Sequence, residues 1–225
     1  MTARTYGIDP LIVERMRERR GSLHVFERLD PARTALVVID MQVAFLESGA
    51  PADTPDARSI VPAINRLAQA VRARGGAVAW VQALFERGSW PLYFDYMVRP
   101  ELSEAVFAAL SAGAPGQQLW PELDVRPADI RVTKRRYSAF FPGACDLAER
   151  LRARDIDTVL VAGTLTNVCC EASARDAMMA DFKVVMVADA NAARSAAEHR
   201  AALGSVVQFF GDVRDTDEVI ALLGR

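Results

Sequence analysis

The 225-residue chain has little of what metal sites, disulfide scaffolds and membrane spans are made from. It has two histidines, His24 and His199, far apart and without partners at ligand spacing, so catalysis by a histidine-bound metal is not expected. Its three cysteines, Cys145 and the adjacent Cys169 and Cys170, make a poor disulfide framework and point to a reducing, cytoplasmic setting. No apolar run approaches the ~20 residues of a membrane span. Residues 2–10 are mixed and polar, without the basic-then-apolar pattern of a secretory signal. The formal net charge is only −2, from 27 basic and 29 acidic residues, which supports neither a nucleic-acid nor a membrane partner. Arg15, Arg17, Arg19 and Arg20 do cluster, but glutamates interleave them, as on a solvated or inter-subunit helix face.

What is present is an ordinary globular composition, 51% hydrophobic and 25% charged, in a chain long enough for one well-buried domain. Short apolar runs at 35–39, 77–81, 130–133, 158–162 and 184–188 read as strands, with a short sixth at Asp212–Arg214. Helical periodicity separates them. Ile60, Ile64, Leu67 and Val71 mark a helix over 59–74 that Gly75 and Gly76 end, and others are predicted over 101–110, 146–154, 167–180, Ala196–Phe209 and 217–223. The alternation predicts an α/β fold, a three-layer α/β/α arrangement around a central parallel sheet of about six strands. Residues 1–30 read as an amino-terminal arm and 31–225 as the main domain. Within the arm, Pro10–Arg20 predicts a helix whose stripe of Leu11, Ile12 and Met16 docks on another subunit, because eleven helical residues alone are marginal in water.

The segment Gly163-Thr164-Leu165-Thr166-Asn167-Val168-Cys169-Cys170 follows the strand at 158–162 and predicts a strand-turn-helix with a thiol at the turn. The first amides of a helix are unpaired and partly positive, so a thiolate there is stabilised and reactive at neutral pH, and the same amides suit a developing oxyanion. Asp40 and Lys134 also fall at carboxyl ends of strands, the rim where open parallel sheets bind ligands. Taken singly, Asp40 reads equally as a helix cap, Lys134 as one of three surface cations with Arg135 and Arg136, and either cysteine as a small buried hydrophobe. Their shared rim favours a site. The stretch 86–100, with Trp90, Tyr93, Phe94 and Tyr96, is too long for a plain connector.

Ile39-Asp40-Met41-Gln42 with Phe45, Lys134 to Phe140, and Gly163 to Cys169, in that order, resemble the isochorismatase-like cysteine hydrolases. This family includes nicotinamidases, N-carbamoylsarcosine amidases, ureidoacrylate and biuret hydrolases and isochorismatases. The resemblance covers about residues 33–223. It implies a triad of Asp40 as proton carrier, Lys134 as orienting cation and Cys169 as nucleophile. It also implies an oxyanion hole from the Leu165 and Cys169 amides, and a cis peptide between Thr164 and Leu165. The motif register selects Cys169, with Cys170 turned about 100° away and Cys145 a bystander. Without a histidine between Asp40 and Ala77, a metal-dependent nicotinamidase is disfavoured, and no metal or cofactor is expected.

The activity implied is hydrolysis of a C–N bond in a small amide, ureido or carbamoyl compound through an acyl-enzyme. The alternatives are isochorismatase-type vinyl-ether cleavage with Asp40 as the acid, or a non-catalytic thiol switch at Cys169 and Cys170. Gln82, Arg87, Trp90, Tyr137 and Phe140 are the expected contacts to a small-molecule substrate, and the loop aromatics serve equally well as a subunit interface. A homodimer or homotetramer is expected. His199 reads as a helix-surface or hydrogen-bonded residue rather than a catalyst.

Overall fold

The computed structural model describes residues 5–224; residues 1–4 of the expected arm and Arg225 lie outside it. Strand β1 (Thr34–Ile39) is buried at all six positions, the pattern of a parallel strand covered on both faces. It lies between β2 (Ala77–Ala83) and β4 (Thr158–Thr164). Outside them come β3 (Ile130–Lys134) on one side and β5 (Lys183–Ala192) with β6 (Asp212–Arg214) on the other. The order is β3-β2-β1-β4-β5-β6, with every pair parallel.

Side chains alternate across the sheet and build two cores. Leu36, Val38, Val78, Trp80, Leu160 and Ala162 face one core. Ala35, Val37, Ala79, Val81, Val159 and Val161 face the other. Each fully buried aliphatic side chain contributes about 1.5–3 kcal/mol, so this alternation, repeated over the strands, is the main source of stability. The first core is closed by α3 (Val61–Ala73), whose buried Ile64, Leu67, Ala68 and Val71 follow helical spacing, and by α9 (Thr216–Leu222). The second is closed by α6 (Leu147–Arg152), α7 (Glu171–Met179) and α8 (Ala196–Phe209). Short α2 (Val43–Leu46), α4 (Pro91–Tyr96) and α5 (Pro100–Leu110) lie near the carboxyl ends of the strands.

Helix α1 (Pro10–Arg20) forms where the sequence predicts it, with the Asp9 side chain accepting from Leu11 N at 2.8 Å and Gly21 closing it at φ 77°. Of the expected stripe, Met16 is buried and Ile12 half-buried, while Leu11 faces outward. Val13 and Met16 are buried with Ile8 against the chain's own second core, beside α8, while Leu11 is 66% exposed. The apolar side of the arm therefore packs on its own chain.

Two other boundaries shift for physical reasons. Strand β5 runs on through Ala192, past an irregular register beside Val161 and Gly163. The polar Asn191 breaks the apolar run there, yet its amide donates to the Val161 and Val187 carbonyls at 2.9 and 2.7 Å and bridges the irregularity. The helix after β4 starts at Glu171, because Thr166–Cys170 is wound as a π-helical turn in which the Val168 and Cys170 amides both donate to the Leu165 carbonyl.

The strand order reverses direction at the β1/β4 pair, the switch point where doubly wound sheets open a crevice. Gly163 permits that pair to continue to its end. It lies opposite Ile39 at φ 118°, and a Cβ there would stand 2.1 Å from the Ile39 carbonyl oxygen. Only glycine fits.

Candidate active site

Asp40 leaves β1 at φ 54°, in the left-handed region that aspartate tolerates better than most residues, with its amide bonded to the Val81 carbonyl. Gln42, fully buried, anchors the segment that follows. Its side-chain amide donates to the Ala83 and Gln117 carbonyls and its oxygen accepts from Ala83 N at 2.7 Å. Lys134 ends β3, two strands away, and its side chain reaches Asp40. Nζ donates to Asp40 Oδ2 at 2.9 Å and to the Arg136 carbonyl at 3.1 Å, and lies 3.5 Å from Cys169 Sγ. Asp40 and Lys134 are entirely buried and Cys169 nearly so. Among the described residues Asp40 Oδ1 has no hydrogen-bond partner.

Three titratable groups in one dry place shift one another. Burial pushes the Asp40 carboxyl upward, against the pull of the Lys134 ammonium. Burial alone would depress Lys134, but the charge of Asp40, joined by that of Cys169 whenever it ionises, outweighs it and keeps the ammonium protonated. Burial and then Asp40 push the Cys169 thiol well up, with Lys134 opposing. Burial and the neighbouring Asp40 thus favour the thiol form of Cys169 over the thiolate, with the Lys134 ammonium opposing them. These two influences run against the stabilisation of the thiolate expected from the helix terminus. Cys170 is also buried and its thiol raised by burial. Cys145 donates to the Ala139 carbonyl at 3.2 Å.

Asp40 and Cys169 line a cavity of about 270 Å³. Its walls are mostly apolar, from Phe45, Phe85, Tyr93, Leu102, Val106 and Tyr137, with Asn167, Arg194 and Glu198 as polar members. Leu165, whose peptide bond to Thr164 is cis, also lines it. Among the described residues Arg194 makes no ion pair, and no group of three His, Cys, Asp or Glu side chains is arranged to hold a metal ion.

Of the five expected substrate contacts, the structure brings only Tyr137 to this cavity. Gln82 donates instead to the Gln117 carbonyl at 2.7 Å. Arg87 points outward, paired with Glu104 and lying over the Phe107 ring. Trp90 stands behind the wall, stacked on Tyr93 with ring centroids 4.9 Å apart, edge-on to Tyr137, with the Arg136 guanidinium above it. Phe140 lies in the other core, 5.4 Å from the Phe182 ring, because the chain after Tyr137 turns toward α7 and bonds Ala139 N to Ser173 Oγ. Phe85 and Arg194 belong to the cavity and carry no motif that marked them, while Asn167 lies within the motif around Cys169 without having been singled out. The three consecutive cations at 134–136 separate completely. Lys134 enters the site, Arg135 faces Glu86 at the surface, and Arg136 clamps the aromatic segment by donating to the Ser89 carbonyl.

The isochorismatase-domain family model matches residues 34–218. The chain belongs to the isochorismatase family. It is 34% identical over 212 residues to the ureidoacrylate amidohydrolase RutB of Methylobacterium radiotolerans, covering 87% of this chain and 81% of that protein. Among solved structures it resembles a cysteine hydrolase from Pseudomonas syringae pv. phaseolicola, with a TM-score of 0.79 and 33% identity over 87% of this chain and 94% of that one. It also resembles the N-carbamoylsarcosine amidase of Thermoplasma acidophilum, with a TM-score of 0.68 and 25% identity over 82% and 97% of the two chains. As a family member it is a hydrolase with a three-layer α/β/α fold, and among the described residues no helix is long and apolar enough to cross a membrane.

Proposed function

We propose that the chain is a cysteine amidohydrolase that cleaves a C–N bond in a small ureido or carbamoyl acid, with Cys169 as nucleophile, Asp40 as proton carrier and Lys134 as the cation that holds both. The observation that carries this reading is the buried Lys134 Nζ bonded to Asp40 at 2.9 Å and set 3.5 Å from Cys169 Sγ, at the edge of a cavity both partners line. Sγ attacks the substrate carbonyl carbon as its proton passes to Asp40, whose Oδ1 is otherwise unengaged. The carbonyl oxygen becomes an anion received by the Leu165 and Cys169 amides. The tetrahedral species collapses, the proton on Asp40 goes to the leaving nitrogen, and an acyl-enzyme remains, a thiocarbamate from a ureido substrate or a thioester from an amide. Water then adds to this acyl-enzyme, giving a proton to Asp40, and as the C–S bond breaks Asp40 returns that proton to Sγ and the thiol is regenerated. Lys134 stays charged throughout and offsets whichever neighbour is anionic.

The finer substrate class rests on Arg194. A guanidinium without an ion-pair partner among the described residues, on a wall whose other polar members are Asn167 and Glu198, suits a carboxylate on the substrate, recognised by a two-pronged hydrogen-bonded pair. The RutB relatives are named for ureidoacrylate, which carries both a ureido group and a carboxylate. A homodimer or homotetramer in the cytoplasm fits the exposed Leu92, Tyr96 and Met97 beside the cavity-lining Val98, and the three free cysteines. The raised Asp40 carboxyl also suits protonation of a vinyl ether, in which Cys169 would be dispensable.

Ammonia release from a panel of amides and ureido acids, with and without a carboxylate, tests the reading. Ureido acids are expected to be the best substrates, and Cys169→Ala to lose about 10³-fold or more in kcat with its thermal midpoint nearly unchanged. Retained turnover in Cys169→Ala would instead establish acid-driven chemistry at Asp40, and retained turnover with Cys170→Ala dead would move the nucleophile by one residue.

A further inference from the structure

The turn that carries Leu165 to Cys169 is held from behind by a residue the chemistry above does not use. Thr166 is fully buried, and its hydroxyl lies 2.9 Å from His199 Nδ1 on the first turn of α8. His199 also lines a second recess, of about 240 Å³, with Asp56, Ser59, Asp189, Asn191 and Ser195. None of these residues lines the catalytic cavity. The turn therefore has substrate on one side and His199 on the other.

We propose that His199 is a positioning residue: its bond to Thr166 fixes the turn so that the Leu165 and Cys169 amides meet the oxyanion. This rests on the oxyanion hole proposed above. The hydrogen bond has one chemically complete form. Among the described residues the Thr166 hydroxyl has no other partner, so it donates to an unprotonated Nδ1 and both groups are satisfied. Protonating His199 would make Nδ1 a donor and strand the buried hydroxyl proton. Burial, then the Arg200 charge, lower the affinity of His199 for that proton. The charged groups around it are Arg200 and Glu198 on α8, Asp56 ahead of α3, and Asp189 on β5. Glu198 is engaged by Ser195 Oγ, and Asp189 by the Thr216 amide and hydroxyl. The hold is accordingly expected to weaken on the acid side.

Two probes separate this role from general damage. Acetaldehyde labelled with carbon-13 adds reversibly to a cysteine: the S–C bond forms, the thiol proton ends on the former carbonyl oxygen, and that oxygen sits in the oxyanion hole. Iodoacetamide alkylates the same sulfur without needing the hole. In His199→Phe the aldehyde adduct at Cys169, followed by NMR, is expected to weaken about tenfold to a hundredfold, while the alkylation rate stays within twofold. His199→Asn, whose side-chain oxygen offers a non-titrating acceptor near the place of Nδ1, is expected to restore most of the affinity and to lack the wild type's acid-side loss. Thr166→Val should match His199→Phe, with no further loss in the double variant, and carries the test if His199→Phe folds poorly. Unchanged aldehyde affinity in Thr166→Val, equal loss of adduct and alkylation, or an Asn variant no better than Phe would each overturn the proposal. Failure of the wild type to form any adduct would instead remove the oxyanion hole on which it rests.

Discussion

At one end of the cavity Asp40, Lys134 and Cys169 are sealed from solvent and held by charge and hydrogen bonds. Along its side Phe85, Tyr93 and Tyr137 are held by one another and by rings behind them. Tyr93 and Tyr137 meet edge-to-face at 5.4 Å, and Trp90 and Phe94 back the layer. The first region tolerates one arrangement, because a buried charge without its partner is costly. The second depends on volume and shape, which several side chains can supply. The proposed reading divides two functions between them: the ionic end would set which reaction occurs, and the aromatic side, with Arg194, which molecule undergoes it.

Removing the cation should give the largest effect. Lys134→Met leaves Asp40 buried and uncompensated, so a loss of about 3–5 kcal/mol in stability is expected together with most of kcat, read by denaturant titration and steady-state rates. Adding Asp40→Asn to that variant should recover stability but not activity, whereas losses that simply add would mean the pair is not coupled. Reshaping the wall should act differently. Phe85→Leu is expected to change KM by about three- to tenfold with kcat little altered, and a kcat loss as large as that of Lys134→Met would erase the distinction between the two regions. Arg87→Ala should be the mildest, within about twofold in kcat/KM, since its guanidinium pairs with Glu104 at the surface. A loss beyond tenfold would place Arg87 on the substrate after all.

The same contrast explains what could be read from the sequence. Strand ends are legible because apolar runs stop abruptly, and a residue at such a stop lies on the rim whatever its side chain does. Asp40, Lys134 and Cys169 were found that way, and each rim position holds in the structure. Side-chain direction is not legible. Trp90 and Phe140 have the right chemistry and stand near the right motifs, yet one backs the wall and the other faces the opposite core. Arg194 reaches the cavity from beyond β5 and no spacing announces it, and Asn167 stands in the quoted motif, which does not tell that it lines the cavity. Charge balance is not legible either: a cysteine at a turn reads as a thiolate until its burial and its neighbour Asp40 are known. The arm helix was visible from its capping Asp9 and Gly21, but which side it buries depended on α8.

The most direct measurement is the pH dependence of Cys169 alkylation by iodoacetamide, read by mass spectrometry, in the wild type and in Asp40→Asn. Burial and the Asp40 charge raise the wild-type thiol, and Lys134 lowers it. The thiolate should therefore be scarce at pH 7 and its alkylation should climb only through the alkaline range. Removing the Asp40 charge while keeping Lys134 should shift the profile to lower pH and speed alkylation at neutral pH, even as turnover is lost for want of a proton carrier. A wild-type cysteine already fully reactive below pH 7, or an Asp40→Asn profile that stays put or moves upward, would contradict a resting thiol activated by Asp40.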